Sequence, residues 1–89
     1  MVALIELLQK EKNVIRQIET IESLIQTRKE AIEWYQTNCS DSEFLSLVIG
    51  DCYEAITNFD KELHANQLIL KAVRNEILAY FTSLKEEFK

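Results

Sequence analysis

The chain has 89 residues, with 15 acidic against 10 basic side chains, one Gly, two Cys and no Pro. A net charge of −5 argues against binding nucleic acid through its phosphates, which takes clustered Lys and Arg. The near absence of Gly and Pro argues against a turn-rich sheet protein, and two Cys are too few for a disulfide scaffold. What remains is a single domain over residues 1–89, almost wholly helical.

The first predicted element is a helix over about residues 2–36. Leu4, Leu7, Glu11, Val14, Ile18, Ile21, Ile25, Arg28, Ile32 and Tyr35 recur in steps of three and four, which places them on one seam. Leu8 and Ile15 widen the seam on one side, and Leu24 and Ala31 on the other. A stripe this wide suits a helical bundle. The start, Met1–Leu8, is apolar but interrupted by Glu6, and it has neither a basic leader nor a cleavage site. No run in the chain has the length of a membrane span, so the expectation is a cytoplasmic protein without membrane contact.

The break is expected at Gln36–Glu43. Asn38 suits the left-handed conformation that ends a helix, and Ser40 with Glu43 has the spacing of a capping box. A loop of about four residues makes consecutive helices antiparallel neighbours. Asn38-Cys39-Ser40 also spells a glycosylation sequon, read as chance in a chain without a signal peptide.

The second helix is predicted over about residues 41–88. Its seam is Leu45, Ile49, Cys52, Ile56, Phe59, Leu63, Asn66, Leu70, Val73, Ile77, Tyr80 and Leu84, with Asn66 as its only polar member. An apolar repeat of 3.5 residues over more than five heptads is coiled-coil-like. The fold class is therefore all-α, an antiparallel helical hairpin. The alternative is a break near residues 57–60, where Thr57 and Asp60 have capping-box spacing, which would give a three-helix bundle.

Folding the chain about residue 40 sets residue i opposite about 80 − i, so the second helix overhangs the first from Ile77 onward. The open end then carries more apolar surface than one hairpin covers. Leu4, Ile5, Leu8, Ile69, Ile77, Leu78, Tyr80, Phe81, Leu84 and Phe88 are the expected contacts of a homodimer, two hairpins sharing their open ends. Asn66 is expected as a buried amide that fixes register, with Glu11 about one turn from it. The tip half is acidic: Asp41, Glu43, Asp51, Glu54, Asp60 and Glu62 face only Lys61. That is a solvated face or a docking surface for a basic protein partner.

No chemistry-bearing pattern stands out. His64 is the single His and has Asp60 four residues before it, too few groups for a zinc site. Cys52 lies on the seam as a small apolar residue, and Cys39 in the loop is expected to be exposed. Trp34 beside Tyr35 either covers the core end or anchors a partner. No catalytic residue, cofactor-binding residue, metal ligand or cofactor is expected. The leading reading is a non-enzymatic, dimerising helical adaptor, assembly factor or regulator. The second is a small acidic inhibitor, of phage or mobile-element character, that blocks a basic or nucleic-acid-binding target.

Overall fold

With no proline in the chain, nothing obliges a helix to stop except side-chain capping. The computed structural model, which describes residues 2–87, contains two helices, α1 (Val2–Asn38) and α2 (Ser42–Glu87), of 37 and 46 residues. They pack along one another as a hairpin measuring 70 × 17 × 15 Å. At ~1.5 Å of rise per residue, α2 alone accounts for the long dimension. No strand occurs among the described residues.

The three-helix alternative does not form. Thr57 lies inside α2, and its hydroxyl donates to the Tyr53 carbonyl one turn back at 2.9 Å instead of capping a new helix. Ile56, Phe59 and Leu63 keep the seam in phase across the same stretch, and all three are half-buried. Continuous packing along the partner outweighs a weak cap signal. Gly50 is helical as well, with an ordinary negative φ.

Both sides of the turn differ in detail from the expectation. Asn38 is the last residue of α1 and is not left-handed; no described residue has a positive φ. Its side-chain amide donates to the Trp34 carbonyl at 2.9 Å, and the Cys39 N–H donates to the Tyr35 carbonyl at 2.9 Å, so the final turn satisfies itself. The cap of α2 is Asp41, not Ser40. Its carboxylate accepts from the N–H groups of Glu43 at 3.1 Å and Phe44 at 3.2 Å. An anionic acceptor at a helix N-terminus gains from the helix dipole in a way a hydroxyl does not.

The core is the predicted seam. Every seam residue of α2 from Leu45 to Leu84 is buried or half-buried. The buried apolar residues are Val14, Ile18, Ile21, Ile25 and Ile32 from α1, with Cys52, Val73 and Ile77 from α2. On α1 only Arg28 departs, its side chain exposed while its backbone keeps the seam's phase. Full burial of one such Ile or Val contributes about 1.5–3 kcal/mol before entropic costs.

The register is shifted from the simple fold about residue 40. Tyr35 meets Phe44 edge-on at 6.1 Å near the turn, but farther out Glu11 pairs with Arg74 at 3.1 Å. Pairs therefore sum to about 84 rather than 80 along most of the rod. The cause is the tilt of Cα–Cβ bonds toward each helix's own N-terminus. In an antiparallel pair the two tilts are opposed, so each residue meets a partner later in sequence. The overhang shortens accordingly, and Ile77 belongs to the hairpin core, 9% exposed, instead of opening the free end.

Candidate interaction surface

The expected polar lock at Asn66 is absent. Asn66 is half-buried, and its amide donates to the Glu62 carbonyl of its own helix at 2.9 Å. Glu11 turns to Arg74 instead, with side chains 27% and 54% exposed. No polar side chain is buried among the described residues. The reason is geometric: at Asn66 a rod two helices thick leaves the seam only half-covered, so the amide has no need of a partner across it. Asn66 lines a shallow open groove with Gln17, Ile21, Leu24 and Glu62. An ion pair as exposed as Glu11–Arg74 contributes about 0–1 kcal/mol.

The six acidic residues of the tip half, Asp41, Glu43, Asp51, Glu54, Asp60 and Glu62, are all exposed. They do not make one patch. Asp41 is engaged as the cap. Glu54 points directly away from the seam, while Asp60 and Glu62, two residues apart and hence about 200° around the helix, flank it on opposite sides. The negative charge surrounds the tip half.

The apolar residues sort more sharply. Of the expected dimer contacts, Ile77 is buried and Leu4, Tyr80 and Leu84 are half-buried along the hairpin's own seam. Ile5, Leu8, Ile69, Leu78 and Phe81 remain exposed; Phe88 lies outside the described residues. Ile5 and Leu78 are 62% and 64% exposed at the same end of the rod. Their spacing sets them off the seam, so the hairpin has no surface to offer them.

A second apolar group lies at the tip. Trp34 is 58% exposed and stands edge-on to Tyr35 at 5.2 Å, so it does not cover the core end. Leu47, 72% exposed, and Phe44 line a groove with Tyr35, Val48 and Cys52, edged by Arg28 and Asp51. The periodicity carries the signal for Phe44 and Leu47, which are large apolar residues out of phase with the seam and absent from the expected contacts. Tyr53 and Leu68 are exposed for the same reason.

His64 is exposed, Cys39 is half-buried at the turn, and Cys52 is buried; both thiols are free. Among the described residues no group of three or more His, Cys, Asp or Glu is placed to hold a metal ion. No described helix is long and apolar enough to cross a membrane. Comparison with protein-family models, curated proteins and solved structures finds no match.

Proposed function

We propose that this chain is a non-enzymatic protein–protein interaction module, a small helical adaptor, assembly factor or regulator that self-associates and presents its tip to another protein. The observation that carries the reading is the set of large apolar side chains left exposed on a two-helix rod, with Ile5, Leu8, Leu78 and Phe81 at the open end, Trp34, Phe44 and Leu47 at the tip, and Leu24, Tyr53, Leu68 and Ile69 between them. Such patches mark interfaces. Covering several of them, at about 25 cal/mol per Å², supplies several kcal/mol of gross association energy. The open-end group, Ile5, Leu8, Leu78 and Phe81, serves self-association, and the tip aromatics serve the second partner.

Sedimentation velocity from nanomolar to high micromolar concentration tests the self-association. A concentration-dependent dimer is the expected result; a monomer across the range overturns it. Leu78→Glu with Phe81→Glu will shift the protein toward monomer and leave its helical circular dichroism intact, since both side chains are exposed.

An acidic inhibitor of a basic target is the second reading. It is favoured by the exposure of Glu43, Asp51, Glu54, Asp60 and Glu62 around the tip half. Its check is Asp51/Glu54/Asp60→Lys protein in an affinity purification from the native host. Retention of every partner by that variant rejects it.

A further inference from the structure

On one flank of the hairpin the charges are ordered lengthwise. In an antiparallel pair, the residue row just beyond each seam on one side of α1 shares an edge with the equivalent row of α2. The Glu11–Arg74 pair crosses the interface along this edge. Gln17, Leu24 and Glu62 line one groove and so mark the opposite edge. On α1 the first edge carries Ile5, Leu8, Lys12, Ile15, Glu19 and Glu22; on α2 it carries Phe81, Leu78, Arg74, Lys71, His64 and Asp60.

With pairs summing to about 84, these residues fall into three bands. Ile5, Leu8, Leu78 and Phe81 form an apolar band at the open end. Lys12, Lys71 and Arg74 form a basic band next to it, in which Glu11 pairs with Arg74 and Lys12 and Lys71 carry the unpaired charge. Glu19, Glu22 and Asp60 form an acidic band about 15 Å farther toward the tip, from ~1.5 Å of rise per residue. All six charged side chains are exposed. Among the described residues only Arg74 of the six has an ion-pair partner within the hairpin.

We propose that a second copy of this chain docks on this edge in the reverse direction, about a twofold axis beside Ile15 and Gln67. This rests on the self-association proposed above and assigns its face and direction. Reversal sets the basic band of each hairpin against the acidic band of the other, twice over, as an isologous contact requires. It carries the apolar band of one copy onto the region of Tyr53, Thr57 and Lys29 of the other, where the exposed Tyr53 ring and the methylene stem of Lys29 offer apolar surface. The overlap is about 50 Å of rod, so the contact runs along most of the 70 Å length and presents a footprint of the order a stable interface needs. Sharing the open ends alone overlaps only about 15 Å, roughly a third of that footprint, and brings Lys85 against the basic band of the partner.

The test uses two double variants of the full chain, Lys12→Glu/Lys71→Glu and Glu19→Lys/Glu22→Lys, which leave Arg74 untouched. In sedimentation velocity each variant alone is expected to dissociate with a constant raised about tenfold or more, and an equimolar mixture to recover a heterodimer near wild-type affinity. Lys12→Gln/Lys71→Gln is expected to weaken the dimer less and serves if a reversal perturbs folding. A wild-type dimer whose affinity neither reversal changes overturns this face while leaving self-association standing. Two variants that dissociate but fail to re-form a dimer on mixing overturn the band pairing. A wild-type monomer at all concentrations removes the self-association reading, and this inference with it.

Discussion

At the scale of single residues, the chain separates those that the hairpin uses from those it leaves over. Ile25 is buried, so Ile25→Ala removes a side chain that only the partner helix covers. Its expected cost is about 2–5 kcal/mol, read as a lower denaturant midpoint. Ile77→Glu is expected to unfold the hairpin rather than merely to disperse its copies, because the carboxylate would enter the core. Gly50 is the opposite case. A methyl group there meets nothing within 4 Å, and the backbone is already helical, so Gly50→Ala is expected to stabilise by about 0.5–1 kcal/mol. Asn66→Leu is expected to raise the melting temperature by extending the apolar seam between Leu63 and Leu70. A lowered melting temperature would show that the Asn66–Glu62 hydrogen bond contributes more than apolar contact at that position.

At the scale of elements, the helices and their pairing were legible because the 3.5-residue repeat survives unbroken through Thr57–Asp60, where local cap chemistry suggests a stop. The turn was legible only to within a residue or two. Ser40 and Asp41 both have cap chemistry, and their competition depends on which carries the better acceptor, which spacing does not report. Asp41→Ala is expected to cost about 1 kcal/mol in thermal or chemical unfolding, and Ser40→Ala close to nothing. The register was not legible from counting because it comes from the lean of side chains, a three-dimensional property of both helices together. For the same reason the overhang was overestimated and Ile77 was misplaced. Asn66 was misread because a polar residue on a seam implies burial only where the bundle is thick enough to exclude water. The exposed residues Ile5, Leu78 and Phe81 followed directly from being out of phase.

At the scale of the whole molecule, a rod of two helices carries apolar groups at both ends and ordered charge along one edge. The tip groove of Phe44, Leu47 and Val48 opens on the edge opposite the one proposed for the second copy, so occupation of one leaves the other free. Phe44→Ala with Leu47→Ala is therefore expected to abolish capture of a tip-binding protein while leaving the sedimentation coefficient of the self-associated form unchanged. Loss of both together would show that the two surfaces are one.

The thinness of this rod has a further consequence for how the molecule opens. Each cross-section is a single layer of two facing side chains, so unzipping at either end exposes one layer at a time and leaves the next intact. Native-state amide exchange in the isolated hairpin will then form a smooth profile, slowest beside Ile18, Ile21 and Ile25 and faster toward both extremities. A partner bound at one extremity will slow exchange most at that extremity, which locates its footprint without any substitution at all.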